Sequence, residues 1–184
     1  NLRKIVSQAL DDGYQRVAAV GGDGTVALAA SALVNRNIPL AVLPAGSGNG
    51  LARGLGIPLD LGSALDVAIN SPAVRAIDAM QVGDSYFFLN VSAGISSLTM
   101  QNTPRRDKRK YGIFAYVLWG WEQLRRFRPF LFKVTLDGEK RRYVASEVMV
   151  ANTPFQIINP YTDEREIIPD DAMLDVCVVL SRRW

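Results

Sequence analysis

A two-part α/β fold is predicted by three features of the 184-residue sequence. Helix and strand signals alternate over residues 1–70 as they do around a parallel sheet. Two glycine-rich turns follow two successive strands, and beyond Ser71-Pro72 strand-like runs take over. Residues 1–71 therefore read as an α/β domain and residues 72–184 as a β-rich second domain.

The first element is a helix over residues 1–11, where Leu2, Ile5, Val6, Ala9 and Leu10 recur at helical spacing. A β-branched strand over 16–20 runs into Gly21-Gly22-Asp23-Gly24-Thr25, which opens a helix from about Thr25 to Val34. A strand over 38–43 leads into the second turn, Pro44-Ala45-Gly46-Ser47-Gly48-Asn49-Gly50. Leu51-Ala52-Arg53 begins a short helix that Gly54, Gly56 and Pro58 end, and Leu61 to Ile69 reads as another. Strands are expected at 74–82, 85–92, 131–137, 141–151 and 173–180, with Asp137-Gly138 as a hairpin turn. One helix, Tyr111 to Arg126, interrupts them.

Composition narrows the chemistry. The chain has no histidine, which excludes Ser-His and Cys-His catalysis and imidazole-bound zinc within it, so any metal must sit on oxygens. Cys177, the only cysteine, sits in Asp-Val-Cys-Val-Val and reads as a strand thiol; with no disulfide framework, a reducing cytoplasm is expected. The net charge of +3 suits an anionic substrate or an acidic membrane surface. Aromatic and basic residues do not interleave as in base-stacking proteins, so no nucleic-acid partner is expected, and a homodimer is left open. No signal peptide or membrane-spanning apolar run is present. The start at Asn1, with a helix that no strand precedes, reads as a cut end. Arg105-Arg106-Asp107-Lys108-Arg109-Lys110 before the aromatic helix, with Arg125, Arg126 and Arg128 after it, fits a helix resting on an anionic bilayer; the nearly all-round apolar circumference favours burial instead. Peripheral membrane association stays open on this reading.

Both glycine turns would lie at the carboxyl ends of neighbouring strands, where open α/β sheets bind ligands, and would face each other across a crevice. Glycines let backbone N–H groups approach an anion, and the following helix adds its unpaired donors and positive dipole end. Asp23 is at odds with simple anion capture, because a carboxylate repels phosphate; it suggests a cation, a water relay or a hydroxyl to be deprotonated. One glycine turn alone is also what a plain strand-to-helix connection needs, and the pair is the stronger sign.

These residues carry a resemblance. Gly21-Gly22-Asp23-Gly24-Thr25, followed by Gly46-Ser47-Gly48-Asn49-Gly50-Leu51-Ala52-Arg53-Gly54-Leu55-Gly56-Ile57-Pro58, resembles the diacylglycerol kinase and sphingosine kinase catalytic-domain family, in its bacterial soluble lipid kinase branch. Phe87-Phe88-Leu89-Asn90-Val91-Ser92-Ala93-Gly94, Val150-Ala151-Asn152 and Asp170-Asp171-Ala172-Met173-Leu174-Asp175-Val176 are similar to its later elements, in the same order.

The resemblance implies an incomplete Rossmann-like nucleotide-binding domain followed by a β-sandwich-like domain. It implies an ATP-dependent kinase that moves a γ-phosphoryl group to the hydroxyl of diacylglycerol or a related acylglycerol or sphingoid lipid, reached at a membrane or extracted from it. By position it places Gly21, Gly22, Asp23, Gly24, Thr25, Val26, Ala27 and Leu28 in the first ATP-contacting stretch and Gly46, Ser47, Gly48 and Asn49 in the second, with Asp23 needed for activity. It places Mg2+ on the Asp171 carboxylate and the carbonyls of Ile168 and Met173. Three departures stand out: Ala27-Leu28 where relatives often carry Asn-Glu, Ala172 where they carry glycine, and no N-terminal strand with its Asn-Pro loop. The family's carboxylate base would fall beyond Trp184, so this stretch by itself is expected to be inactive. NAD kinase and phosphofructokinase relatives share a similar first loop but lack the second loop and the Asp-Asp element; a catalytically silent binding module is the other alternative.

Overall fold

A computed structural model describes residues 2–95, 129–154 and 167–180. By packing, the chain forms two compact units: Asn1–Asn90 with Asn152–Leu174, and Val91–Ala151 with Asp175–Trp184. Residues 72–90 and 152–174 thus pack with the N-terminal part of the chain. The helix expected at Tyr111 to Arg126 and the basic cluster at 105–110 lie outside the described residues.

The first unit is built on strands β1 (Val17–Gly21) and β2 (Leu40–Pro44), paired in parallel from Val17 opposite Leu40 to Gly21 opposite Pro44. Helix α1 (Leu2–Asp11) packs on α2 (Asp23–Ser31), which lies against β1. Val6, Ala19, Val26, Ala29, Ala32, Leu33, Leu51 and Phe88 form the core. Val26 and Ala29, each only 2% exposed, are three residues apart on one face of α2, the spacing that sets side chains above one another on a helix.

Helix α2 starts two residues before the expected Thr25 and stops three before Val34. It starts early because Gly22, in an extended conformation, is itself the cap, and its carbonyl accepts from the N–H groups of Thr25 and Val26. It stops early because three-residue bonds (Ala32 N–H to Ala29 O, Leu33 N–H to Ala30 O) tighten its end and Asn35 turns left-handed, φ 59°. Helix α3 (Gly50–Gly54) is short, and α4 (Leu61–Asn70) begins at Asp60, whose side chain accepts the Ser63 N–H at 2.9 Å.

The strand expected at 74–82 shrinks to β3 (Met80–Val82), which pairs antiparallel with β4 (Ser85–Phe87). Residues 71–79 have no ladder partner among the described residues; Asp78 instead bonds to Pro169, Asn152 and Ala172.

In the second unit, β5 (Asn90–Gly94), β6 (Phe130–Leu136) and β8 (Asp175–Leu180) all pair with the long β7 (Glu139–Ala151). The first half of β7 pairs with β6 and the second with β8, with a register break between Ala145 and Glu147. Asp137 and Gly138 form the expected hairpin turn with φ of 48° and 86°, the paired positive values of the turn type that matches strand twist. Cys177 is half-buried on β8; burial, and then the charge of Glu147, push its thiol pKa up, which suits a strand residue and not a nucleophile.

Candidate nucleotide and metal site

The two glycine turns emerge side by side from β1 and β2, but they do not face each other across a gap. They touch. A Cβ on Gly46 would collide with Gly22 Cα, and one on Gly22 would come within 3.2 Å of Gly46 Cα. The Ala45 N–H donates to Gly21 O at 3.0 Å, which carries the strand pairing one step into the turns. The expected crevice between the loops is thus replaced by backbone-to-backbone contact, possible only because both residues lack side chains.

Most of the other site residues serve the same joint. Gly21 leaves room for Thr25, whose Cβ sits 2.7 Å from where a Gly21 Cβ would be. Asn49, left-handed at φ 51°, closes the second turn with two reciprocal bonds: Gly46 N–H donates to its Oδ1 at 2.9 Å, and its Nδ2 donates to Gly46 O at 2.8 Å. Arg53 Nε donates to Gly48 O at 3.0 Å. Asp23 spans the joint: its Oδ1 accepts the Leu51 N–H at 3.0 Å, and its Oδ2 lies 3.2 Å from where a Gly48 Cβ would stand. The carboxylate that looked out of place beside a phosphate loop therefore ties the first turn to the start of α3.

On the solvent side the paired turns present Gly24, Leu28, Ala45, Ser47 and Gly48, all exposed. Gly24 differs from Gly21, Gly22, Gly46 and Gly48, since a Cβ added there would meet nothing within 4 Å. Glycine in a helix costs about 1 kcal/mol relative to alanine, and here no packing contact accounts for it. Ser47 is exposed, and its hydroxyl has no hydrogen-bond partner among the described residues. Val26 differs too: its side chain is in the core and its N–H is bonded to Gly22 O, so it supports the loop from behind. Ala27 packs against the core, and Leu28 is 51% exposed.

The Asp-Asp turn is held from the segment at 75–78. Arg75 grips Asp170 through two bonds, Nε to Oδ2 at 2.9 Å and Nη2 to Oδ1 at 2.6 Å, and this guanidinium holds the Asp170 pKa below its ordinary value. Asp78 donates its N–H to Pro169 O at 2.7 Å and accepts the Ala172 N–H on Oδ2, also at 2.7 Å. Ala172 is left-handed, φ 59°, in the place where the family resemblance sets a glycine. Asp171 Oδ1 accepts the Met173 N–H at 3.0 Å, and its Oδ2 has no protein partner among the described residues. Ile168 and Met173, whose carbonyls complete the expected metal set, are exposed.

Sequence reading named Asn152 only as part of the Val150-Ala151-Asn152 resemblance and gave neither it nor Thr153 a role behind this turn. Asn152 and Thr153 are fully buried: Asn152 Nδ2 donates to Asp78 O at 2.8 Å, its N–H to Leu89 O at 2.8 Å, and Thr153 Oγ1 to Phe88 O at 2.7 Å. Thr153 also fills the space that the missing side chain of Gly54 leaves. The available signal was the polar pair Asn152-Thr153 directly after the apolar run Val148-Met149-Val150-Ala151.

Residues 1–82 match the family model described as the diacylglycerol kinase catalytic domain, and residues 89–183 match the YegS C-terminal NAD kinase beta sandwich-like domain. The chain belongs to the bacterial diacylglycerol kinase family of lipid kinases. Its relatives include a probable YegS-like lipid kinase from Pseudomonas fluorescens, 39% identical over 64% of this chain and 40% of that protein. Another from Chromohalobacter salexigens is 34% identical over 74% of this chain and 45% of that one. A putative diacylglycerol kinase structure from Bacillus anthracis superposes over 97% of this chain and 60% of its own, with a TM-score of 0.75 and 25% identity. The family chain described here thus spans less than half the length of those curated relatives. Its architecture is the family's: a mixed α/β part, then a β-sandwich-like domain. Among the described residues no helix is long and apolar enough to cross a membrane.

Proposed function

We propose that the intact protein is an ATP- and Mg2+-dependent lipid kinase that transfers a γ-phosphoryl group to the hydroxyl of diacylglycerol or a related acylglycerol or sphingoid lipid. Its relatives' names support the lipid-kinase class. The observation that carries the nucleotide part is Gly24. Gly21, Gly22 and Gly46 are fixed by close packing and Gly48 lies against Asp23, whereas Gly24 leaves open space over the first turn of α2, where unpaired N–H donors and the positive dipole end favour a phosphate. The exposed Ser47 hydroxyl, on the neighbouring turn, is available to the same anion.

The donor set at the Asp-Asp turn fits magnesium in kind. It is all oxygen, and Arg75 engages Asp170 while Asp171 keeps one carboxylate oxygen without a protein partner. Asp171, with the carbonyls of Ile168 and Met173, would hold the ion, and bound magnesium would neutralise phosphate charge. Asp23 fixes the two turns in register, so the backbone donors that receive the phosphates are in place before the nucleotide arrives.

The test is label transfer from γ-labelled ATP with magnesium, using the intact protein and a panel of lipids with NAD as an added acceptor. Label is expected in lipid. Asp23→Ala removes the oxygen that accepts the Leu51 N–H and so frees the two turns to shift, and is expected to lower the rate about a hundredfold. Label in NAD and not in lipid would overturn the acceptor class, and bound ATP with no labelled acceptor would point to a silent binding module.

A further inference from the structure

In the β6–β7 hairpin, residues directly opposite each other share a face. One face carries Phe132, Val134, Leu136 and Tyr143, all half-buried. The other carries three cross-strand pairs, Leu131 with Val144, Lys133 with Arg142, and Thr135 with Lys140, and all six residues are exposed. Among the described residues of the hairpin no carboxylate lies on this second face: Glu139 is on the opposite one, paired with Arg141 at 2.9 Å. The side chains of Lys133, Lys140 and Arg142 make no ion pair or hydrogen bond among the described residues.

Two details make this face more than an ordinary solvated surface. Lys133 and Arg142 stand directly opposite, an arrangement of like charges that destabilises a hairpin by itself. Next to them, Leu131 and Val144 form a cross-strand apolar pair that is 61% and 47% exposed. Cations flanking a small exposed apolar patch match the boundary of an anionic bilayer, where headgroup phosphates meet the charges and the acyl region accepts the aliphatic side chains. A nucleic acid fits less well, since among the described residues of the hairpin no aromatic side chain on this face is available to stack a base.

We propose that this hairpin face is a docking surface for an anionic lipid bilayer, with Lys133, Lys140 and Arg142 facing the headgroups and Leu131 with Val144 entering the interface. The choice of a bilayer as partner rests on the lipid-kinase reading; the charge pattern does not.

Flotation of the intact protein with vesicles provides the test, comparing pure phosphatidylcholine with phosphatidylcholine containing phosphatidylglycerol. Binding is expected to the anionic vesicles alone and to weaken as salt is raised. Replacing Lys133, Lys140 and Arg142 together by Gln is expected to weaken it on the order of a hundredfold, about fivefold per charge. Arg141→Gln, on the other face, is expected to change it less than twofold. The triple variant removes the opposed cations, so its thermal midpoint should not fall, which separates lost docking from lost folding. Equal binding to neutral vesicles, binding that survives the triple change, or tighter binding to duplex DNA at the same salt would overturn the proposal. Phosphoryl transfer is read apart from this, on a short-chain acceptor dispersed as monomer. A protein inactive there but bound to vesicles through this face would sink the kinase reading and leave the surface standing, while an active protein whose vesicle binding ignores the triple change would do the reverse.

Discussion

Gly24 and Ala172 are opposite departures from what the local backbone prefers. Gly24 sits in the first turn of α2 with ordinary helical demands and open space around it, so alanine would fit. Gly24→Ala is expected to raise stability by about 0.5–1 kcal/mol, read as a higher denaturation midpoint. The added methyl stands where a phosphate would approach, so ATP affinity should fall about tenfold or more by calorimetry. Unchanged ATP binding in a stabilised variant would remove the main support for a phosphate at this turn. Ala172 is the reverse, an alanine at φ 59°. The left-handed conformation costs a non-glycine residue roughly 1–2 kcal/mol, while glycine costs ~0.4–1 kcal/mol through the entropy of the unfolded chain. The first effect is the larger, so Ala172→Gly should stabilise slightly, and a β-branched residue there should destabilise by more than about 1 kcal/mol. Asp78 explains how the strained residue is tolerated, because its carboxylate takes the Ala172 N–H.

Among the elements, the ones readable in the sequence were those whose causes are local. Asp137-Gly138 announces a hairpin because both residues accept positive φ, and β6 and β7 follow from it. The helix at 61–70 follows from Asp60 as its cap. The segment at 74–79 misled because its Val-Arg-Ala-Ile pattern suits a strand, yet a strand also needs a partner edge, and this segment bonds to a turn almost a hundred residues away. The site was legible in the same measure: the glycines were read from their number and spacing, but their mutual contact and the Asp23 bond to Leu51 depend on two loops meeting. The Arg75–Asp170 pair, also invisible from sequence, has a pH consequence. The Asp170 pKa is lowered in the folded protein, so the pair contributes stability above the unfolded carboxyl pKa and loses it as pH falls through the folded value. Both partners are substantially exposed, so the contribution is small and salt-sensitive. Arg75→Gln should leave the neutral-pH midpoint nearly unchanged and flatten the acid limb of a stability–pH curve; an acid limb identical to that of the wild type would show that the pair contributes nothing.

At the scale of the whole molecule, the packing units and the matched family segments divide the chain differently. The catalytic-domain match ends at residue 82, whereas the compact unit containing the nucleotide turns also takes in residues 152–174. What crosses that gap is specific. Thr153 packs under Gly54 at the end of α3 and donates to Phe88 O, Asn152 satisfies Asp78 O and Leu89 O, and Pro169 with Ala172 occupies the other bonding groups of Asp78. A chain cut after Asn90 would keep β1, β2 and the glycine turns yet leave the carbonyls of Asp78, Phe88 and Leu89 without these partners. Each of these hydrogen bonds contributes about 0.5–1.5 kcal/mol net, and the cut also removes the packing of Thr153 against Gly54, a sum that is large beside domain stabilities of only about 5–15 kcal/mol. The fragment 1–90 is therefore expected to unfold without a cooperative transition, and amides of Val26 and Ala29, at the core of α2, should lose their exchange protection. Adding back residues 152–174, joined by a flexible linker, should restore both. Equal protection of those amides in the fragment and the intact protein would show that the nucleotide turns fold independently of the buried Asn-Thr pair.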